Sequence, residues 1–103
     1  MLVILLLEEE IFNNYVTKVA EVFKIEEEEV FDKSKKRTFS DARHLLYYVC
    51  SERHMRLVTI QSYMSDRGYS VAHQTIMHGI KAAKSRVSED KDYKVIIKKL
   101  QDV

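Results

Sequence analysis

Residues that interrupt helices are almost absent from this chain. Its 103 residues contain no proline and two glycines, Gly68 and Gly79. Proline ends helices because it has no amide hydrogen, and glycine supplies the backbone freedom that tight turns need. A β fold needs many such turns, whereas long helices need few. The sequence therefore predicts an all-α fold, and its length suits one domain with one hydrophobic core.

Apolar residues recur at the three- and four-residue spacing that places them on one face of a helix. In the third such segment the stripe is Ala42, Leu45, Leu46, Val49 and Cys50. The first segment could begin earlier, within the leucine-rich start, and the last is expected to close the core as a C-terminal helix within 89–103. The single domain spans 1–103, and its predicted five to six helices cover 11–23, 27–31, 39–53, 57–66, 71–87 and 92–100.

Residues 1–7 are apolar and are followed by three glutamates. A membrane-spanning helix needs about 20 apolar residues. A secretory signal needs basic residues before its apolar stretch and small residues after it. Neither pattern is present, so residues 1–10 are expected to be an N-terminal extension. Its apolar part is predicted to pack on the domain or to mediate self-association, and no membrane is expected as a partner.

The residue types of common catalytic sites lack the required spacing. A phosphate-binding P-loop needs Gly-x-x-x-x-Gly-Lys, and neither glycine belongs to one. The four histidines include no i,i+4 pair, and one cysteine cannot form an internal disulfide or a cysteine-based zinc site. Cys50 lies in an apolar stripe and is predicted to be a core residue. The sequence thus predicts no enzyme activity, no metal, no cofactor and a reducing, cytoplasmic location.

Charge is distributed unevenly along the chain, although the formal net charge is only +1. Residues 1–32 carry nine acidic and two basic residues, a net charge of −7. Residues 33–88 carry eleven basic and three acidic residues, a net charge of +8. A basic region of this kind is typical of nucleic-acid binding. Two solvated faces that attract each other would give the same distribution, and both interpretations stay open here.

The predicted helices 57–66 and 71–87 are separated by a short turn, as in a helix-turn-helix. Gly68 can adopt the positive φ that ends a helix, and Ser70 can cap the next one. In this motif the first residues of the second helix contact base edges in the major groove. An ordinary helical hairpin with a polar outer face gives the same pattern and is the alternative.

Candidate DNA contacts come from the outer side of the predicted second helix and from the basic loop around residues 33–43. Gln74 could pair with adenine, and Thr75 could meet a thymine methyl group or a phosphate. Basic side chains of the loop would neutralise phosphates, although most surface lysines are simply solvated. The candidate residues are Lys35, Lys36, Arg37, Arg43, Ser70, His73, Gln74, Thr75, His78 and Lys81.

Three blocks of the chain, in order, resemble the C-terminal DNA-binding domain of the bacterial replication initiator DnaA. The first is Val-Ala-Glu-Val-Phe-Lys-Ile at 19–25. The second begins at Lys36-Arg37 and continues at 42–49, where Ala-Arg-His-Leu-Leu-Tyr-Tyr-Val is similar to the family's Ala-Arg-Gln-Ile-Ala-Met-Tyr-Leu. The third, His-Gln-Thr-Ile-Met-His-Gly-Ile at 73–80, is similar to His-Thr-Thr-Val-Leu-His-Ala. The likeness covers most of residues 11–88.

The resemblance implies a Trp-repressor-like helix-turn-helix domain that binds double-stranded DNA in replication or transcription control. As a stand-alone domain it would suit a phage or another mobile element. By position, the resemblance assigns Lys36, Arg37 and Arg43 to the DNA backbone and minor groove. It assigns His73 and Thr75 to the major groove.

The chain departs from the family pattern just before the third block. The family has Gly-Gly-Arg-Asp where this chain has Tyr-Ser-Val-Ala at 69–72, and Gln74 replaces the family's first threonine. DNA binding in general is therefore implied more strongly than the family's usual recognition sequence. The alternative is a domain that keeps this fold but binds a replication or regulatory protein, which the acidic N-terminal third and apolar start would suit.

Overall fold

A computed structural model of the chain describes the backbone of residues 2–101 and the side chains of residues 7–101. Every regular element of this described part is a helix, as the sequence predicts. The fourth helix has the predicted bounds, and the others differ by a few residues at their ends, except that the first begins at Leu2. The helices are α1 (Leu2–Phe23), α2 (Glu27–Val30), α3 (Arg37–Glu52), α4 (Leu57–Asp66), α5 (His73–Glu89) and α6 (Lys91–Gln101).

Three of the helices end in the same way, with one residue at positive φ. These residues are Lys24 (φ 56°), His54 (φ 66°) and Gly68 (φ 82°). The next amide in each case reaches back to the last turn, as when Tyr69 N donates to Met64 O at 3.0 Å. Such caps satisfy carbonyls that the helix leaves without a partner. The prediction for Gly68 is confirmed, while Lys24 and His54 adopt this conformation without being glycine.

The core forms around α3, which packs against both α1 and α5. All five residues of the predicted α3 stripe, including Cys50, are fully buried. From α1 the core receives Phe12, Tyr15, Val16 and Val19. Ile76 of α5 is fully buried, and α6 closes the core with Ile97 and Leu100. The C-terminal helix α6 thus packs against the core through these two residues.

Gly79 lets α5 approach α3 closely. A methyl group at this position would lie 2.8 Å from Cδ2 of Tyr47 and 2.9 Å from Cδ2 of His44. Both distances are shorter than carbon–carbon contact allows, so only a residue without Cβ fits unless the rings move. The close approach explains why a glycine occupies the middle of a helix, where it is otherwise unfavourable.

The start of α5 corrects two details of the sequence-based interpretation. The helix begins at His73, and its N-cap is Ala72 in an extended conformation (φ −82°, ψ 153°), with no side-chain cap. Ser70 was predicted to cap this helix, but it lies two residues too early in the turn to do so. Ala72 itself is exposed.

The N-terminal end of α1 contains the apolar segment that is predicted to pack on the domain or to mediate self-association. Leu7 is 52% exposed, and the side chains of residues 1–6 lie outside the described residues. Self-association through this segment therefore stays a prediction. No helix of the described residues is long and apolar enough to cross a membrane.

Candidate nucleic-acid interface

The outer face of α5 is polar along its first three turns. Ile76, Gly79 and Ala83 are buried, and Ile80 is half-buried against the core. Six residues of α5 are exposed on this outer side: His73, Gln74, Thr75, Met77, His78 and Lys81. Five of them were predicted as candidate DNA contacts. Met77 was not, and its 46% exposure adds an apolar side chain to an otherwise polar surface.

Arg43 lies beneath the interface rather than on it. Its side chain is only 6% exposed. Nη1 donates to the carbonyl oxygens of Val30 (3.0 Å) and Asp32 (2.8 Å), and Nη2 donates to Ser40 Oγ (3.4 Å). On the other side, the guanidinium lies 4.8 Å from the ring centroid of Tyr69. The prediction that Arg43 contacts DNA is wrong for this conformation, because backbone carbonyls and an aromatic ring already occupy its guanidinium.

Through these contacts Arg43 joins the two parts of the candidate interface. Asp32 immediately precedes the basic loop, and Tyr69 lies in the turn before α5. A planar guanidinium can donate in its own plane and stack through its face at the same time, which an ammonium group cannot do. The loop and the start of α5 are therefore held next to each other by one buried side chain. Neither its burial nor the role of Tyr69 had a signal in the sequence.

The basic loop itself projects into solvent. Lys33, Lys35, Lys36 and Arg37 are all exposed, and Arg37 keeps 87% of its side-chain surface accessible. Its ion pair with Asp41 is long at 3.9 Å, whereas Asp41 pairs with Arg86 at 2.8 Å. Exposed ion pairs of this kind contribute little to stability. The positive charge of the loop thus remains accessible to a partner.

The opposite side of the turn is fixed to the acidic part of the chain by Arg67. Its Nη1 donates to Asn13 Oδ1 at 2.9 Å, and Nη2 lies 3.7 Å from Glu27 Oε1. The guanidinium also lies 4.7 Å from the ring centroid of Phe31. Arg43 and Arg67 therefore hold the turn from two sides. The acidic N-terminal third contacts the basic half at Arg67, which accords with the interpretation of two attracting faces.

His73 and Gln61 form a further contact that sequence reasoning missed. Gln61 Nε2 donates to Val71 O at 2.8 Å, and Gln61 Oε1 lies 2.9 Å from His73 Nε2. Gln61 is on α4, twelve positions before His73, and no spacing rule connects the two. The contact ties the first residue of α5 to the preceding helix.

A second histidine pair lies further along α5. The rings of His44 and His78 meet edge to face with centroids 6.2 Å apart. Burial lowers the pKa of His44 below its usual value, and the nearby positive charge of Arg86 lowers it further, while Asp41 acts in the opposite direction. The lowered pKa favours the neutral form of His44, whose ring lies where α3 packs against Gly79 of α5.

The depressed pKa of His44 predicts a loss of stability in mild acid. As pH falls through the ordinary histidine pKa of about 6.5, the unfolded state takes up a proton before the folded state does. The free energy of unfolding should therefore decrease from pH 7 towards pH 5. His44→Gln should show a smaller decrease over this range in urea titrations, while His54→Asn, at an exposed histidine, should keep the parent slope. Equal slopes in all three proteins would contradict the assignment.

The other side chains that could act as nucleophiles or metal ligands are buried in the core or do not converge on one site. Cys50 is fully buried, and its burial raises the pKa of the thiol, which opposes any role as a nucleophile. Within the described residues no three histidine, cysteine, aspartate or glutamate side chains converge as a metal site would require. The surface that unites most of the predicted residues is therefore α5 together with the basic loop.

Relatives of known function would give an independent view of this surface. Comparisons with protein-family models, curated proteins and solved structures yielded no match for this chain. The similarity to the DnaA C-terminal domain consequently rests on the three short blocks of sequence alone.

Proposed function

We propose that this domain binds double-stranded DNA, with the outer face of α5 in the major groove and the basic loop 33–37 against the sugar-phosphate backbone. The observation that carries the proposal is the buried Arg43, which contacts Asp32 immediately before the loop and Tyr69 in the turn before α5. Base reading and backbone binding need a fixed spacing between the two surfaces. A rigid link between them supplies that spacing.

The side chains of the two surfaces suit base reading by α5 and backbone binding by the basic loop. The exposed amide of Gln74 can pair with adenine, and Thr75 can donate a hydrogen bond to a phosphate oxygen or pack on a thymine methyl group. The exposed Lys35, Lys36 and Arg37 carry the charge that phosphate binding needs. Together with the α4–turn–α5 arrangement, these features support a helix-turn-helix protein in replication or transcription control. The Trp-repressor-like, DnaA-like form of the motif is part of this proposal and rests on the sequence resemblance.

The salt dependence of duplex binding tests the electrostatic half of the proposal. If Lys35, Lys36, Arg37 and Lys81 contact phosphates, the logarithm of the association constant should fall with the logarithm of salt concentration at roughly −0.9 per contact. Lys36→Ala should reduce the slope by about one such increment. Lys98→Ala removes the same charge from an exposed position on α6 and should leave the slope unchanged. Fluorescence anisotropy of a labelled duplex at several salt concentrations measures each slope.

Two results would count against DNA binding. One is a parent protein that does not bind any duplex at low salt. The other is an equal loss of slope in Lys36→Ala and Lys98→Ala, since that would indicate attraction by net charge without a defined interface.

Base preference tests the other half, after a preferred site has been selected from a random duplex pool. Gln74→Ala should weaken binding to the selected site by about 1–3 kcal/mol and relax preference at one base pair. Lys36→Ala should weaken the selected and a scrambled duplex equally, because phosphate contacts carry little sequence information. Equilibrium titrations of both variants on both duplexes give the comparison. Equal effects of Gln74→Ala on the two duplexes would show that Gln74 does not read sequence.

A protein partner is the second candidate, and exposed apolar side chains favour it. Met77 on α5 and Val58 on α4 are 46% and 49% exposed, and Leu7 of α1 is 52% exposed. Exposed apolar residues at a polar surface occur where proteins associate. In this alternative the domain binds a replication or regulatory protein. A parent protein without duplex affinity, together with loss of partner binding on Met77→Ser, would favour it over DNA binding.

A further inference from the structure

Gln61 places one side chain between the end of the turn and the first residue of α5. We infer that Gln61 is a positioning residue that fixes the ring and the tautomer of His73, so that His73 reads a base through Nδ1. The inference deepens the proposed DNA binding and rests on it. Gln61 is partly buried on α4, while His73 is exposed.

The orientation of the Gln61 carboxamide follows from its two contacts. One end lies 2.8 Å from Val71 O, which can only accept a hydrogen bond. The group at that end must therefore be the amino nitrogen, because a carbonyl oxygen there would face another oxygen without a proton between them. The opposite end is then the oxygen Oε1, which lies 2.9 Å from His73 Nε2.

The orientation of the amide in turn determines the tautomer of His73. Oε1 can only accept, so Nε2 of the imidazole must carry the hydrogen. In the neutral ring this leaves Nδ1 as an acceptor. The complementary groups in the major groove are the exocyclic amino groups of adenine and cytosine, whereas guanine and thymine offer acceptors there. Fixed in this way, His73 favours adenine or cytosine at the position that it meets.

Apart from Gln61, few contacts restrict the side chain of His73 at the start of α5. No side chain caps the helix at Ala72. An exposed histidine without a partner would sample several rotamers and both neutral tautomers, and would lose that freedom on binding. By holding Val71 O and His73 Nε2 together, Gln61 orders the ring before DNA arrives.

Histidine tautomers in the free protein provide the first test, since long-range proton–nitrogen NMR spectra distinguish Nε2–H from Nδ1–H rings. The spectra are recorded at a pH at which the NMR chemical shifts of His73 indicate a neutral ring. The parent should show the Nε2–H form, and Gln61→Leu should show a mixture of both. Gln61→Glu keeps an acceptor for His73 and should retain the Nε2–H form, although it lacks the donor to Val71. Ser62→Ala, at the exposed neighbouring position on α4, should match the parent.

Binding to the selected duplex and to its single-base variants provides the second test. His73→Ala identifies the base pair that His73 reads, as the pair at which discrimination disappears. Gln61→Leu should reduce discrimination at that same pair roughly two- to tenfold, the range expected for one hydrogen bond. Affinity for a scrambled duplex should change less. The double variant should lose no more discrimination than His73→Ala alone, because both changes remove the same contact.

The outcomes separate this inference from the proposed function. A parent that binds no duplex would overturn the proposed function, and with it the reading of bases by His73. A parent that binds, with a Gln61→Leu variant of unchanged tautomer and unchanged discrimination, would overturn the role of Gln61 alone. Equal losses on the selected and scrambled duplexes would also overturn it, because they would indicate a general loss of structure. Loss of tautomer preference together with discrimination at the His73 pair supports it.

Discussion

Replacing Ile76 by aspartate is expected to abolish cooperative thermal unfolding of the domain. Ile76 is fully buried in the core where α5 meets α3. An unpaired carboxylate at such a site costs several kcal/mol, whether it stays charged or takes up a proton. Small domains have free energies of unfolding of about 5–15 kcal/mol, so this single change removes much of the stability of the fold. Circular dichroism and calorimetry should show no sharp transition.

The neighbouring position supplies the control for this experiment. Met77 follows Ile76 on the same helix and is 46% exposed. Met77→Asp introduces the same charge one position later, with nearly the same effect on helix propensity, and should melt cooperatively near the parent temperature. A cooperative transition in Ile76→Asp at the parent temperature would contradict the packing of α5 on the core.

Arg43 is expected to affect both stability and DNA binding. Arg43→Ala leaves the carbonyls of Val30 and Asp32 without their donor and removes the contact with Tyr69. Losing buried hydrogen bonds to a charged group should lower the free energy of unfolding by about 2–4 kcal/mol. Duplex affinity should fall as well, because the loop and the turn lose the side chain that holds them together. Urea titration and duplex titration of the same variant measure the two effects.

Two further variants separate structural support from direct contact. Arg43→Lys keeps the positive charge. A lysine ammonium group cannot both donate in one plane to the carbonyls and stack on the ring of Tyr69, so this variant should be less stable than the parent. Arg37→Ala removes an arginine that is 87% exposed, and should reduce affinity while changing stability by no more than about 0.5 kcal/mol. If Arg43→Ala lowered affinity at unchanged stability, Arg43 would be a direct contact after all.

Helix identity and the core-facing sides were largely predictable from the sequence. The apolar stripe of α3 is fully buried as predicted, and α4 has the predicted bounds Leu57–Asp66. Gly68 takes the positive φ expected of it. These features depend on the helical period and on local backbone geometry, and both are properties of residues close together in the chain.

The candidate site was predictable only in part, because its geometry depends on residues distant in sequence. Gln74, Thr75 and Lys36 are exposed where the spacing placed them. Ser70 was expected to cap α5, yet the helix starts later, at a point where Gln61 of α4 holds Val71 O. The contacts of Gln61 form only once α4 and α5 pack together.

The sequence by itself determined an all-helical chain, the inward faces of its helices and a basic half that follows an acidic one. Those properties follow from residue type and short-range spacing, since burying an apolar stripe is favourable whichever partner covers it. Only the tertiary structure decided that Arg43 is a buried link rather than a surface charge, and that His73 has a partner on α4. A polar side chain is buried only when groups from elsewhere satisfy its hydrogen bonds, and their positions are set by the packing of the whole domain.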